Sequence, residues 1–542
     1  MSGPLSVLLM TSKSWIGFNI APSTGLYRIR QQLLKSGFRC DVLDFDVHSE
    51  EEYLTKVESG EYDVIGMSVT HVNMSADLET MWNFRKASKK SGKRCVFAAG
   101  GQEATLNCRQ WLFGGGVDLV FLGFAEEEFD SFCRRLAEVS GRADFALPEV
   151  TAGINGIAFM DVDGKVVYKP SPALTYDRFR KFSYLNALDT DMPYKDYWDI
   201  VRKKRIDVFN NAEFIVETAR LYTTSHCPRR CGFCSSQSFV SASQDKASPI
   251  LMLPAEDVFA LVLNSIDKYG ARGFLFSDDD FPVGNEAGIE RMFGFCELII
   301  QAKNEGRMPR EVKLFCQARV ADFLSTDGNR GKVVREDLIR LMKNAGFHNI
   351  GLGVETFSER LLRLPSVNKV GVTVSDCRGV IDALLKGGIV PQIFIILGIP
   401  ESTPGDLIQT MRIAADYLCK GADIVVNAKL HAYPGSPLCD SDYPVSFKTW
   451  ENPHSGQVTD IADYFIPHDK TVAGIIDNVK TVTEEVVEDI KKERRWDRTI
   501  IPKSLVGFAT FIAAAKLLDR KDVADDFKVI LYRMLDTEAA RN

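Results

Sequence analysis

Short apolar runs alternate with helical stretches over residues 5–138. The runs are LSVLLM, CDVLDF, DVIGMSV, CVFAAGG and VDLVFLG. A continuous apolar run of this length is typical of a strand that is covered on both faces. Five strand–helix units in succession predict a doubly wound parallel sheet, which we assign to residues 1–140.

Small or polar residues stand at the carboxyl ends of three of these strands. They are Ser68, Val69 and Thr70, then Gly100 and Gly101, then Gly123. Ligands of doubly wound sheets bind at this edge, and glycine lets the backbone approach a ligand closely. The pattern therefore predicts a site for a large flat ligand.

A second alternation occupies residues 219–440. Its strands are predicted at RLYTTS, GFLFS, VKLFCQ, NIGLGVE, VPQIFIIL and DIVVNAKL. The helical stretch PAEDVFALVLNSIDKYG between the first two has proline in its first turn and a terminal glycine, as helix ends favour. Six strand–helix units without a nucleotide-binding glycine fingerprint predict a partial (β/α)6 barrel, with its chemistry at the carboxyl ends of the strands.

The two remaining segments carry weaker patterns. Residues 141–218 contain GINGIAFMDVDGKVVYKP, which predicts a hairpin with an Asp-Gly turn inside a connecting segment. Residues 441–542 are predicted to be helical. Within them, TVAGIIDNVKTVTEEVVEDIKK has an apolar stripe typical of a core-facing helix.

Composition narrows the classes of protein to consider. A chain of 542 residues with 45% apolar and 26% charged residues fits an ordinary protein of two or three domains. The net charge of −7 argues against a nucleic-acid partner. No apolar run reaches the roughly 18 residues of a membrane span, and the start lacks the features of a signal peptide. We expect a cytoplasmic protein.

Three of the 12 cysteines share one loop after the first barrel strand. Cys227, Cys231 and Cys234 lie in TTSHCPRRCGFCSSQ. This spacing lets three thiolates bind one [4Fe–4S] cluster and leaves one iron without a protein ligand. One alternative is a zinc site completed by His226, which is disfavoured because adjacent residues seldom ligate one zinc ion. The other is an unrelated buried group of cysteines.

With this loop in place, residues 219–440 resemble the radical S-adenosylmethionine (SAM) superfamily. The resemblance implies that the open iron chelates SAM and that Phe233 packs beside its adenine. An external one-electron reductant of the flavodoxin or ferredoxin type would then drive cleavage of SAM to a 5′-deoxyadenosyl radical.

Later strand ends extend the resemblance. FLFSDDDF, CQARVADF, GLGVET and IFIILGIPE resemble the SAM-contacting segments of the superfamily, although Phe394 replaces the first glycine of the last one. The implied SAM contacts are Asp278, Asp279, Arg319, Glu355, Ile396 and Gly398.

The first domain resembles the cobalamin-binding branch of this superfamily. FAAGGQEAT and FLGFAEEEF carry the likeness, which implies an α/β protein with a Rossmann-like cobalamin-type domain before a TIM-like barrel. Cobalamin would then lie at the predicted edge, from Ser68 to Gly123. The Asp-x-His-x-x-Gly motif is absent, as is common in this branch, and we interpret His71 as structural.

These features predict an enzyme that cleaves SAM and, with cobalamin, methylates an unactivated carbon or phosphorus of a small molecule. One alternative is a cyclase, a rearrangement enzyme or an oxidation enzyme that transfers no methyl group. A second is a non-catalytic iron–sulfur or corrinoid-binding protein. The sequence identifies no acid–base catalyst. Cys316 is interpreted as a buried apolar residue, and RKKR at 202–205 as a solvated face.

Overall fold

The computed structural model describes residues 4–12, 21–114, 116–139, 145–204, 217–327, 331–453, 456–493 and 503–541. Two large sheets organise these residues. The apolar runs found in the sequence supply the central strands of both sheets, which confirms the predicted α/β fold.

The first sheet has seven strands in the order β2-β1-β3-β4-β5-β6-β7. They are β1 (Ser6–Met10), β2 (Arg39–Leu43), β3 (Val64–Ser68), β4 (Val96–Gly100), β5 (Leu119–Phe121), β6 (Ile157–Met160) and β7 (Val166–Lys169). The first five strands are parallel. Their helices are α1 (Thr24–Lys35), α2 (Glu50–Glu58), α3 (Met74–Lys90), α4 (Gln102–Leu106), α5 (Cys108–Gly114), α6 (Glu126–Val139) and α7 (Leu147–Val150).

Both faces of this sheet are buried. Apolar side chains of α1 and α6, such as Leu33 and Phe132, pack on one face. Those of α3 and α5, such as Met81 and Trp111, pack on the other. Helices on both faces explain why the strands are continuous apolar runs, and they make the sheet doubly wound.

The hairpin in residues 141–218 belongs to the first sheet. Strand β6 pairs antiparallel with β5, and β7 pairs antiparallel with β6. Ile157 and Phe159 of β6 are buried in the same core as α1 and α6. The sheet therefore continues past the predicted boundary at residue 140. The chain then forms α8 (Tyr176–Arg180), a π-helical turn (Lys181–Leu185), α9 (Asn186–Asp189) and α10 (Tyr194–Lys204).

The second sheet holds six parallel strands in the order β8-β9-β10-β13-β14-β15. Strands in this part are β8 (Thr218–Leu221), β9 (Gly273–Phe276), β10 (Lys313–Arg319), β11 (Leu324–Asp327), β12 (Gly331–Val334), β13 (Phe347–Glu355), β14 (Val390–Ile396) and β15 (Asp423–Asn427). Strands β11 and β12 form a separate antiparallel ribbon. The six parallel strands match the predicted partial barrel.

In the described part of this region, seven α-helices connect the strands. They are α11 (Ser236–Ser243), α12 (Ala255–Tyr269), α13 (Glu286–Asn304), α14 (Glu336–Ala345), α15 (Glu359–Leu362), α16 (Val374–Lys386) and α17 (Pro404–Cys419). Local chemistry fixes their ends. Thr373 and Thr403 begin α16 and α17 with capping boxes, and Gly270 ends α12 in the left-handed conformation.

The C-terminal region begins with a hairpin, where the sequence pattern predicted helix. Strands β16 (Val445–Glu451) and β17 (Val458–Phe465) are antiparallel. Their alternating side chains place Trp450 and Ile461 in the core of the first sheet. This periodicity of two is the signal that the helical interpretation missed.

The described residues of the C-terminal region end with the helices α18 (Lys470–Glu493), α19 (Lys503–Leu517) and α20 (Lys521–Arg541). The predicted apolar stripe of α18 is buried, apart from the half-buried Val482. Among the described residues, no helix is long and apolar enough to cross a membrane.

Candidate active site

The loop that carries Cys227, Cys231 and Cys234 follows the carboxyl end of β8 and is held by later segments. A Cβ atom on Gly232 would overlap the backbone of residues 365–366, so only glycine allows this close approach. The Gly232 carbonyl accepts a hydrogen bond of 2.9 Å from the Leu438 amide. These contacts fix the cysteine loop against distant parts of the barrel.

Burial disfavours the thiolate form of two cysteines in this loop when no metal is bound. It raises the pKa of Cys227 above its ordinary value and that of Cys234 to about 11, and Cys231 adds to both shifts. A metal cluster offsets this cost because thiolate is its ligand. Among the residues that the structure describes, no three His, Cys, Asp or Glu side chains form a preformed metal cage. The cluster assignment therefore rests on the motif and its place in the fold.

Asp278 and Asp279, in the acidic turn after β9, have different hydrogen-bond partners. Asp278 is buried and accepts four hydrogen bonds of 2.5–2.8 Å from the amides and hydroxyls of Thr223 and Thr224. Its two oxygens thus hold the strand end before the cysteine loop. Asp279 accepts a hydrogen bond from the Ser236 hydroxyl beside that loop. Asp279 is thus the member of the predicted pair better placed to contact a ligand there.

A buried charged group that the sequence did not predict adjoins this turn. Burial, then the charge of the neighbouring Asp322, raises the pKa of Asp280 to about 8. The Nε atoms of Arg319 and Arg229 are buried without a hydrogen-bond partner. Such donors can pair with an anionic group. The role of Arg319 as a SAM contact stays a prediction.

Glu355 lies at the end of β13 in a left-handed conformation, with φ of 69°. Its Oε1 accepts a hydrogen bond of 2.9 Å from Nζ of Lys369, and both side chains are buried. Lys369 also donates to the carbonyl of Gly353. The predicted SAM contact is therefore already neutralised by a lysine that the motif did not reveal.

Phe233 and Ile396 meet in one apolar cluster that also contains Leu362 and Val367. The fold thus brings together the two apolar residues that are predicted to contact adenine. Gly398 packs against the backbone of the barrel instead. A Cβ atom at this position would lie 2.6 Å from the carbonyl oxygen of Ala428. Packing within the barrel is sufficient reason for glycine at that position.

A cavity of about 310 Å³ opens at the carboxyl edge of the first sheet. Its lining includes the predicted residues Ser68, Gly100, Gly101 and Gly123. The other two predicted residues, Val69 and Thr70, do not line it. The Val69 amide donates to Gly100, and the Thr70 amide donates to Asp77. Both hold the loop in place.

The second sheet supplies another wall of this cavity, through Arg220, Leu221, Tyr222 and Ser277. Nearby, Nε2 of Gln102 donates a hydrogen bond of 2.9 Å to the hydroxyl of Ser235, beside the cysteine loop. The cavity and the loop therefore belong to the same junction. The lining is mostly apolar, and Nε of the buried Arg28 has no partner there. Such a lining fits a bulky cofactor with apolar and polar parts.

His71 and Cys316 occupy positions consistent with structural roles. Nδ1 of His71 lies 3.1 Å from Oε2 of Glu103, with both side chains buried. The ring of His71 packs on Tyr433, with centroids 5.4 Å apart. Cys316 lies in the barrel core, where burial raises its pKa. In the basic run RKKR at residues 202–205, Arg202 pairs with Asp199 and Glu217. Residue 205 lies outside the described residues.

The two sheets and their junction define a protein in which a doubly wound domain lies beside a partial barrel, with a cavity lined by both. Residues 18–132 match the family model of the B12 binding domain, and residues 221–414 match that of the radical SAM superfamily. The chain therefore carries a B12-binding domain followed by a radical SAM domain. The radical SAM domain implies a [4Fe–4S] cluster and SAM, and the B12-binding domain supports cobalamin as a further cofactor.

Two curated proteins show the range of activities among its relatives. Anaerobic magnesium-protoporphyrin IX monomethyl ester cyclase from Rubrivivax gelatinosus is 25% identical over 266 residues, which cover 49% of this chain and 40% of the cyclase. Cytidylyl-2-hydroxyethylphosphonate methyltransferase from Streptomyces wedmorensis is 22% identical over 369 residues, covering 66% of this chain and 61% of the methyltransferase. This chain thus spans less than two thirds of either relative.

Two solved structures share the fold over nearly the whole chain. The cobalamin-dependent SAM radical enzyme OxsB with aqua-cobalamin has a TM-score of 0.66 at 14% identity, covering 99% of this chain and 76% of OxsB. The radical SAM methyltransferase TsrM from Kitasatospora setae, with cobalamin and a [4Fe–4S] cluster, has a TM-score of 0.61 at 14% identity, covering 97% and 99%.

Proposed function

We propose that this enzyme transfers a methyl group from SAM, by way of cobalamin, to an unactivated carbon or phosphorus atom of a small molecule. The observation that carries the proposal is the cavity shared by both sheets. Its wall includes Tyr222, and the first cysteine of the loop, Cys227, follows five positions later. A corrinoid at the edge of the first sheet would therefore face the radical-forming centre.

The chain's own contribution is positioning. Asp278 accepts hydrogen bonds from the residues that precede the cysteine loop. Gly232 lets residues 365–366 pack closely against the loop, and Gln102 links the loop to the first sheet through Ser235. When bound, the cluster and SAM would supply hydrogen abstraction, and cobalamin would supply the methyl group. Holding both cofactors at one junction is the arrangement that such a reaction needs. An external one-electron reductant completes the proposal.

A second candidate is radical cyclisation or oxidation without methyl transfer. It is favoured by the likeness to a protein named as a cyclase, just as the likeness to a phosphonate methyltransferase favours the first candidate. Both candidates would use reductive cleavage of one SAM molecule to form the 5′-deoxyadenosyl radical. The first would also use a second SAM molecule, which would give its methyl group to cobalamin and leave as S-adenosylhomocysteine. The candidates differ in whether cobalamin gains and passes on a methyl group.

The test uses full-length protein purified anaerobically with iron and hydroxocobalamin. After strong reduction, SAM with an isotopically labelled methyl group is added without substrate. Methyl transfer predicts S-adenosylhomocysteine together with label on the corrinoid. Formation of 5′-deoxyadenosine with no label on the corrinoid would favour the second candidate. Intact SAM, in protein that contains the cluster, would contradict both.

A further inference from the structure

Helix α11 (Ser236–Ser243) joins the two parts of the candidate active site. Its eight residues span about 12 Å, at a rise of ~1.5 Å per residue. The helix begins two residues after Cys234 of the cysteine loop and ends beside Gly123, at the carboxyl edge of the first sheet. Each end of α11 therefore contacts residues that surround one predicted cofactor site.

The first end of α11 is hydrogen-bonded to the cysteine loop. The amide of Ser236 donates a hydrogen bond of 3.5 Å to Sγ of Cys234. The hydroxyl of Ser236 accepts a hydrogen bond of 3.5 Å from the amide of Cys227 and donates one to Asp279. A displacement of Ser236 would therefore shift two of the three predicted cluster ligands.

The other end of α11 is hydrogen-bonded to the segment that follows the first sheet. The carbonyl of Ser243 accepts a hydrogen bond of 2.9 Å from the amide of Ser171, and the carbonyl of Ser171 accepts one of 2.8 Å from the amide of Asp245. The side-chain oxygen of Gln244 accepts a further hydrogen bond of 2.9 Å from the amide of Leu174. Ser171 comes two residues after β7, so these bonds hold the end of α11 against the first domain.

Gly123 is the residue of the first sheet that this end of α11 meets. It follows β5, lines the cavity and has a φ of 66°. A Cβ atom on Gly123 would lie 2.6 Å from both Cβ and Oγ of the buried Ser243. Carbon atoms in contact lie ~3.5–4.0 Å apart, so a side chain at position 123 would push α11 away from the sheet.

We propose that the contact between Gly123 and Ser243 positions the cysteine loop through α11. Both are positioning residues, since neither belongs to the loop, and together they fix the separation between the loop and the cavity edge. Methyl transfer needs the radical centre and the methyl donor to reach the same substrate atom, and a misplacement of ~1 Å can cost about a hundredfold in rate. The inference rests on the proposed function, to which it adds the element that sets this spacing.

The experiment measures SAM binding by full-length protein that carries its reduced cluster and no corrinoid. SAM bound at the open iron should change the electron paramagnetic resonance spectrum of the cluster. A titration with SAM therefore gives both a spectrum of the bound state and a dissociation constant. Because Gly123 also lines the cavity, leaving out the corrinoid removes any effect of a variant on corrinoid binding.

Gly123→Ala should weaken SAM binding by about five- to tenfold and should change the spectrum of the SAM-bound cluster, because α11 has to move. Gly92→Ala is the matched control in the same domain. Gly92 has a φ of 69°, and a Cβ there would meet none of the described atoms within 4 Å. The control thus introduces a similar backbone strain without the contact, and it should bind SAM as the wild-type protein does.

A second change in α11 tests the contact itself. Gly123→Ala/Ser243→Gly removes the side chain that the new methyl group would meet, so SAM binding should return to within about twofold of wild type. Gly123→Ala/Ser243→Ala keeps the Cβ atom of residue 243 and should stay weak. If Gly123→Ala does not fold, Ser243→Val enlarges the same contact from the side of the helix and should weaken SAM binding, with the exposed Ser241→Val as its control.

Two results would overturn the inference. One is SAM binding and a cluster spectrum in Gly123→Ala, or in Ser243→Val, that match those of the control variant. The other is a defect in Gly123→Ala that Ser243→Gly does not reduce. Either result alongside labelled corrinoid in the methyl assay would reject this inference alone. Wild-type protein that carries the cluster but binds no SAM would reject the proposed function as well.

Discussion

Glu355 combines two costly features in one residue. Its left-handed backbone costs about 1–3 kcal/mol, and its buried carboxylate needs Lys369 to neutralise it. The sequence motif identified Glu355 but not Lys369, because the lysine lies 14 positions away in a loop without a pattern. Motifs record residues that touch a cofactor, whereas their partners are chosen by three-dimensional packing.

Lys369→Met should destabilise the barrel by about 3–5 kcal/mol, because it leaves the Glu355 carboxylate buried and unpaired. The measurement is urea unfolding of the cluster-free chain followed by circular dichroism. Adding Glu355→Gln to that variant should recover part of the loss. If Lys369→Met has the same urea midpoint as the wild-type protein, the Lys369–Glu355 pair adds no stability.

Asp280 predicts a pH dependence of stability. Its pKa is raised to about 8 in the folded chain, against ~3.9 when unfolded. A carboxyl group with a raised folded pKa stabilises the protein at low pH, and that stability is lost as pH rises through about 8. The melting temperature of the cluster-free protein should therefore fall between pH 6 and 8 and then level off. In Asp280→Asn the fall should be shallower; parallel curves for the two proteins would contradict the prediction.

At the scale of elements, periodicity located the central strands because apolar patterning is local. It did not reveal that β6 would pair with β5, since pairing partners are set by the whole sheet. The β16–β17 hairpin was missed although its alternation is present in the sequence. Residues 441–542 were assigned as helical as a whole, so the strand-like alternation of residues 445–465 was not used. The cysteine loop was found because its spacing is a chemical constraint that acts within eight residues.

Gly232→Ala tests whether that loop also needs its packing. The added methyl group would overlap the backbone of residues 365–366, so we expect a several-fold loss of bound iron although all three cysteines remain. Iron and sulfide analysis after anaerobic reconstitution measures this. Gly474→Ala in α18 is the matched control, because a Cβ at that position would meet no other atom within 4 Å, and it should keep full iron content. Equal iron in both variants would reject the packing requirement.

At the scale of the molecule, residues from both ends of the chain share one core. Trp450 and Ile461 of the C-terminal hairpin are buried with side chains of the first sheet. Nε2 of Gln110 also donates a hydrogen bond of 2.9 Å to the carbonyl of Asp460. Sequence patterns predicted both large sheets, but not this contact between the C-terminal hairpin and the first sheet, which joins segments more than 300 positions apart.

Trp450→Ala should destabilise the first sheet by about 3–5 kcal/mol, as expected for loss of a buried aromatic side chain. Corrinoid release during urea unfolding reports on that sheet directly. Phe447→Ala on the same strand is the matched control, since Phe447 is 59% exposed and its loss should cost less than about 1 kcal/mol. Equal release midpoints for the two variants would show that the hairpin does not support the first sheet.

The shared core also has a consequence during synthesis. The seven strands of the first sheet have all emerged once residue 169 has left the ribosome, but Trp450 and Ile461 come much later. At ~5–20 residues per second, the wait lasts roughly a quarter of a minute to a minute. For that interval, the nascent first domain exposes the apolar surface that the hairpin will cover. The newly made chain thus passes through a stage in which chaperone binding at this surface would be most useful.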